Sequence, residues 1–145
     1  MGRGLFSLDM LIRIHSKMVS SIRDKGGRLD SIFFCPHSPA DQCDCRKPKP
    51  GMLLEISDRL GIGLSGVPVV GDSLRDLEAA AAAGAMPVMV QTGQGRLTQE
   101  KLLQGALFPT LGQTPVYADL AEFTDAVLDG HLESVANHTD QGPRH

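Results

Sequence analysis

Three short apolar runs, at 30–35, 67–71 and 86–90, alternate with helically patterned segments along the chain. That alternation predicts an α/β protein: a parallel sheet with flanking helices. At its start, Leu8, Leu11, Ile12, Met18, Val19 and Ile22 recur at helical spacing, and Gly26-Gly27 ends the run. "DSIFFC" (30–35) follows turn residues and reads as a buried strand. A proline- and cysteine-rich loop separates it from a helix over 51–60, whose Leu53, Ile56 and Leu60 share a face and whose end is marked by Gly61. "VPVVGDS" (67–73) is a strand running into a turn, residues 74–83 an alanine-rich helix closed by Gly84, and "MPVMV" (86–90) a third strand. "QTGQG" then reads as a glycine-rich turn, and 96–116 as irregular, because Pro109 and Pro115 interrupt long regular elements. A last helix is expected over 119–129, with Leu120, Phe123, Val127 and Leu128 as its apolar face. One domain over 1–130 and a disordered polar tail over 131–145 are the expected organisation.

With 145 residues, 41% hydrophobic and 21% charged, the chain has the composition of an ordinary soluble domain. Its net charge of −3 gives no reason to expect nucleic acid or an anionic membrane as partner. No apolar run reaches the roughly 18 residues of a membrane span. Three cysteines leave no even disulfide framework, so a reducing cytoplasm is the expected setting.

All three cysteines fall between positions 35 and 45, with His37 among them. Cys35, His37, Cys43 and Cys45 offer three thiolates and an imidazole, a set that closes a tetrahedral zinc site with every position filled by protein. Such a zinc is structural rather than catalytic. Small buried cysteines are the plainer alternative, but a charged loop holding Pro36, Pro39 and Asp41 is a poor place to bury them. His15, His131, His138 and His145 stand apart and are given no metal role.

Arg46 and Lys47 directly follow the last proposed ligand, so a metal-ordered loop would hold them in a fixed direction. Guanidinium and ammonium groups so placed suit a phosphate, although a solvated basic loop would show the same residues. Asp72 stands where an apolar strand ends, the edge of an α/β sheet at which ligands bind. A carboxylate there can hold Mg²⁺, a hard ion that shares itself with substrate phosphate. Ser73 and Asp76 have the spacing of a capping box and read mainly as the start of the following helix.

Cys35-Pro36-His37, Cys43-Asp44-Cys45-Arg46-Lys47-Pro48-Lys49-Pro50-Gly51-Met52 and Val70-Gly71-Asp72 with Asp76 together resemble the haloacid dehalogenase (HAD) superfamily of phosphatases. Within it they resemble most the heptose 1,7-bisphosphate 7-phosphatases, with the histidinol-phosphate phosphatases, which carry a similar loop, as the rival. The resemblance runs from about Gly2 to residue 129. It implies a Rossmannoid sheet, structural zinc, Mg²⁺ at Asp72, Arg46 in substrate recognition and Lys47 on the transferring phosphoryl group. A phosphorylated sugar as partner and a monomeric complete fold are also implied. The family's nucleophile and general acid belong to a D-x-D-G-T motif, and a T-N-Q-S motif follows it. Neither occurs in these 145 residues, and "MGRGLF" matches the stretch just after the second. The chain therefore reads as an N-terminally truncated version of the fold, lacking turnover as written: a zinc-stabilised phosphate-binding remnant is the non-enzymatic alternative. In the family the absent first strand lies between the strands expected at 30–35 and 67–71.

Overall fold

The computed structural model describes residues 7–103 and 111–131. Nearly every expected element forms. Helix α1 (Leu8–Asp24) starts where the Ser7 hydroxyl accepts the Met10 N–H at 3.2 Å. Helix α2 (Gly51–Leu60) follows the cysteine loop, and strand β1 (Pro68–Gly71) runs into helix α3 (Leu74–Ala82). Strand β2 (Met86–Val90), helix α4 (Gly95–Leu103), strand β3 (Val116–Tyr117) and helix α5 (Leu120–Leu128) complete the order. The strands are parallel in the order β1-β2-β3, with Pro68 opposite Met86 and Met89 opposite Val116. The expected parallel sheet with flanking helices is thus present.

Its core lies between α3 and the sheet. Leu77, Val88 and Met89 are fully buried. Leu77 and Met89 pack with Leu111, while Ala80 and Ala85 pack with Leu64 around the other end of α3. The alanines of "AAAA" are what allow this: without bulk beyond Cβ, the helix settles close on β1 and β2.

Three expectations are corrected. First, 30–35 is not a buried strand: its backbone joins no ladder, and Phe34 is 44% exposed. A strand exists only through the backbone bonds of a neighbour, and among the described residues none lies beside this segment. Phe33 instead rests under the Arg59 guanidinium, 5.6 Å from its centroid, and Phe34 meets the His15 ring at 5.9 Å. Second, the supposedly irregular 96–116 begins with α4 and ends in β3. Residues 95–103, ahead of both prolines, are helical, and the two-residue β3 is too short to show a pattern. Third, the apolar face expected on α5 is mostly in solvent: Phe123 is buried, edge-on to Tyr117 at 5.5 Å, but Leu120 and Leu128 are 59% and 79% exposed. Helix α1 likewise buries no residue. All of the expected tail over 131–145 except His131 lies outside the described residues, as do Pro109 and the segment MGRGLF. No helix among the described residues is long and apolar enough to cross a membrane.

Candidate functional site

The loop between residue 35 and α2 folds back so that its four expected ligands converge. Their donor atoms all lie within 4.8 Å of one another. The Cys35, Cys43 and Cys45 sulfurs are 3.5 Å (35 to 43), 3.3 Å (35 to 45) and 3.4 Å (43 to 45) apart. His37 Nδ1 stands 3.2 Å from the Cys45 sulfur and 3.8 Å from that of Cys35. Four ligands at zinc bond lengths of about 2.0–2.3 Å on a tetrahedron stand about 3.5–3.8 Å apart, and the three sulfur separations and the distances from His37 to Cys35 and Cys45 come within about half an ångström of that. The chemistry agrees. Burial works upward on the Cys35 thiol, but hydrogen bonds from Cys45, His37 and Cys43 outweigh it and bring it to about 6. The same contacts, Cys35 first and Cys43 second, push Cys45 up to about 12. Thiolate charge cannot accumulate on such close sulfurs without a cation among them, and a bound dication supplies it. The cluster can hold zinc.

The turn within this loop is built from its own polar groups. Asp41 accepts the Ser38 N–H at 2.6 Å, closing a short 3₁₀ turn over Pro39–Asp41. Lys49 donates to the Gln42 carbonyl at 3.1 Å and to Asp44 at 2.9 Å. Gly51 is required where the loop meets α2, since a Cβ there would stand 2.4 Å from the Asp44 carbonyl oxygen.

The basic residues are fixed as expected from their position beside the knot. Arg46 donates from Nη1 to the His37 carbonyl at 2.9 Å, so a residue of the ligand set sets the direction of the guanidinium. Lys47 forms an ion pair with Asp76, whose other oxygen accepts the Ser73 N–H at 3.0 Å and the Ser73 hydroxyl at 2.7 Å. Asp76 is only 8% exposed. Burial works upward on its carboxyl, but the Lys47 and Ser73 bonds prevail and hold it below the usual carboxylate range. Asp76 therefore both caps α3 and anchors Lys47. The capping role was legible in its spacing from Ser73; the partner 29 positions away was not.

Asp72 sits at the end of β1 and is held from the next strand's turn. The Gln94 N–H donates to its Oδ2 at 2.8 Å, and the buried Thr98 hydroxyl donates to its backbone carbonyl at 2.9 Å. Gly93 takes φ +59°, and a Cβ on it would lie 2.1 Å from Asp72 Oδ2. The "QTGQG" turn thus does more than reverse the chain: it seats the carboxylate. Nothing local in the sequence shows this, because the two segments meet only through the β1–β2 pairing. Asp72 remains partly open, and an oxygen-ligated cation suits a carboxylate so placed.

Arg46, Lys47, Asp72 and Asp76 line one open cavity of about 910 Å³, walled on one side by the cysteine loop and on the other by α3 and α4. The phosphate-directed and magnesium-directed residues expected from the sequence therefore face the same space. The zinc ligands Cys35 and Cys45 reach its rim.

A family model described as HAD-hydrolase-like matches residues 44–123. The D-glycero-beta-D-manno-heptose-1,7-bisphosphate 7-phosphatase of Bordetella bronchiseptica is 50% identical over 128 residues, covering 88% of this chain and 68% of that protein. The enzyme of the same name from Pseudomonas aeruginosa is 43% identical over 126 residues, 87% of this chain and 67% of its own. The crystal structure of D,D-heptose 1,7-bisphosphate phosphatase from B. bronchiseptica, complexed with magnesium and phosphate, superposes with a TM-score of 0.78 at 51% identity. That superposition covers 88% of this chain and 68% of the other. The chain thus spans about two thirds of the length of these relatives. With a matching family model over more than half its residues and 50% identity over 128 residues to a relative of which it covers 68%, the chain belongs to the HAD-like hydrolase family.

Proposed function

We propose that this chain carries the zinc loop, phosphate clamp and magnesium carboxylate of a phosphomonoester hydrolase acting on the 7-phosphate of D-glycero-D-manno-heptose 1,7-bisphosphate. The observation that carries the reading is the convergence of Arg46, Lys47 and Asp72 on one cavity. Relatives at 50% and 43% identity bear that enzyme's name, which favours the heptose over histidinol phosphate.

Arg46 binds phosphate oxygens with a planar fork whose orientation is already fixed by the His37 carbonyl. Lys47 faces developing negative charge on the transferring phosphoryl group. Its pairing with Asp76 means that little reorganisation remains when that charge appears. Asp72 holds Mg²⁺, which when bound neutralises charge on a phosphate oxygen. Zinc at Cys35, His37, Cys43 and Cys45 orders the loop that presents Arg46 and Lys47. The step still required is covalent attack on phosphorus, which positioning charges do not replace. None of the 145 residues matches the family's attacking aspartate. The edge of β1 that has no partner among the described residues, and the 30–35 segment that joins no ladder there, support a place for the strand that bears it. We place the protein in a reducing cytoplasm, where thiolates stay available to zinc, with a monomeric fold once that strand is present.

The test is titration of the chain with heptose 1,7-bisphosphate in the presence of Mg²⁺, followed by ³¹P resonance shifts. Binding that Arg46→Ala weakens at least tenfold supports the reading. Binding indifferent to Arg46, Lys47 and Asp72 variants refutes it.

A further inference from the structure

The cysteines that hold zinc in the reading above have a second chemistry, and their placement opens it to solutes. Cys35 and Cys45 both reach the rim of the open cavity, whereas Cys43 does not line it. Both are only partly buried, so a small molecule entering the cavity meets them. Metal ligation keeps thiols deprotonated, and the thiolate is the form that hydroperoxides oxidise.

Distance alone does not choose among the three sulfur pairs, which lie 3.3–3.5 Å apart. Access and freedom to move do. A disulfide bond is about 2.05 Å long, so roughly 1.3 Å must be closed. Cys43 and Cys45 flank Asp44, whose carbonyl accepts the Gly51 N–H at 3.1 Å and whose carboxylate accepts from Lys49 at 2.9 Å. They share that anchor, so a link between them draws no movement from the loop. Cys35 ends a segment that joins no ladder among the described residues, and it supplies the movement. Its partner is Cys45, the anchored cysteine that the cavity reaches.

We infer that Cys35 and Cys45 are a reversible oxidation site for hydroperoxides, whose disulfide state releases zinc and frees Arg46. One thiolate of the pair attacks the peroxide: an S–O bond forms, the O–O bond breaks, and hydroxide leaves to take a proton. The sulfur is oxidised to a sulfenic acid and the peroxide is reduced. The other thiolate then attacks that sulfur, forming the S–S bond as hydroxide departs and is protonated. Two thiolates, one hydrogen peroxide and two protons become one disulfide and two waters. A small dithiol reverses the step by exchange, becoming a cyclic disulfide itself. Two of the four protein ligands are spent in the oxidised chain, and His37 with Cys43 alone do not close a tetrahedral site. His37 also supplies the carbonyl that accepts from Arg46 Nη1 at 2.9 Å, so its release frees the guanidinium from its fixed direction. Lys47 keeps its partner Asp76, which belongs to α3 and not to the loop. The inference rests on the cluster being a zinc site.

The experiment adds hydrogen peroxide stepwise to the zinc-loaded 145-residue chain beside a weak zinc indicator. Zinc falls from one ion per chain towards none, thiols titrated after denaturation fall from three to one, and a small dithiol restores both. Cleavage before Asp30, Asp41, Asp44 and Asp58 places each cysteine in its own peptide, so mass spectrometry reads the link directly. Peptide 30–40 joined to 44–57 is expected. The Arg46 Nε–H resonance shifts on oxidation and returns on reduction. A link through Cys43 overturns the site, as does zinc loss with only sulfinic or sulfonic acid formed. Retention of zinc and of three titrating thiols under excess peroxide overturns it too. An Arg46 resonance unmoved by oxidation overturns the coupling to the clamp. A chain that holds no zinc when purified without chelator shows instead that the zinc reading fails, and the inference with it.

Discussion

Asp76 shows how one residue can hold two duties that a sequence displays as one. Its oxygens cap α3 through Ser73 and anchor Lys47 across the cavity mouth. Because its folded-state pKa is depressed, its stabilising contribution is present above the unfolded carboxyl value of about 3.9. That contribution is lost as pH falls through the lower, folded value. Asp76→Asn is therefore expected to cost about 1–2 kcal/mol at pH 7, discounted for the half-exposed Lys47, and nearly nothing once the pH is below the folded value. Thermal melts of both proteins from pH 7 down through the acid range check this: a difference that does not shrink as the pH falls through the folded carboxyl's titration would show that charge is not the cause. Gly93→Ala makes a different kind of prediction. With φ +59° and no room beside Asp72, the substitution must displace the carboxylate or the turn. Mn²⁺ binding, read by paramagnetic broadening of resonances near residue 72, should weaken at least severalfold while the fold persists. At this scale the sequence showed the chemically conspicuous residues: clustered cysteines, Arg46-Lys47, and an aspartate after an apolar strand. It did not show the Gln94 N–H, the Thr98 hydroxyl or the Lys47 partnership, because contacts between segments distant in sequence leave no local pattern.

Among the elements, the cysteine loop depends most on something other than a core. Between Cys35 and Pro50 no residue is buried, and its turn is held by short polar bonds such as Ser38 to Asp41 and Lys49 to Asp44. Zinc is therefore expected at one ion per chain, and its removal should loosen this loop before the sheet, whose contacts lie with α3. Elemental analysis of chelator-free protein, then amide hydrogen exchange with and without a strong chelator, checks both halves. Less than stoichiometric zinc together with three freely titrating thiols would refute the site. Exchange that accelerates equally in the loop and in β2 would refute the order of loosening. The legibility of the elements followed their packing. Helix α3 and strands β1 and β2 matched expectation closely, since their apolar residues meet in the core; α2 also formed as expected, although it buries no residue and reaches the core through Leu53. The 30–35 run failed because apolar composition alone cannot supply a ladder partner, and α4 was missed because Pro109 and Pro115 were read as excluding regular structure across the whole of 96–116.

Across the described residues, apolar surface and a strand edge are left without cover. α1 buries nothing, its Leu8 and Ile12 are more than half exposed, Phe34 is 44% exposed, and among the described residues β1 is paired on one edge only. A parallel strand is ordinarily buried on both faces and bonded on both sides, so an open edge beside β1 is a place where another strand adds. The family resemblance implies that the nucleophile is borne by a strand at that edge, and Arg46, Lys47 and Asp72, the clamp proposed above, line one cavity. The 145-residue chain is accordingly expected to bind phosphorylated sugar but to release no phosphate from heptose 1,7-bisphosphate or histidinol phosphate, with Mg²⁺ supplied. Supplying the segment that precedes the matched region in the Bordetella bronchiseptica relative, joined ahead of Gly2, should restore turnover on the heptose. It should also convert self-associating protein into a monomer as the edge is filled, since an unpaired strand and bare apolar helix invite association. Phosphate release and light scattering on both proteins decide the matter. Robust Mg²⁺-dependent turnover by the unextended chain would mean that an aspartate other than the family's attacks phosphorus. A monodisperse unextended chain would mean that the edge is covered from within. In the first case the chemistry assigned to this cavity is wrong. In the second, only the account of the edge is.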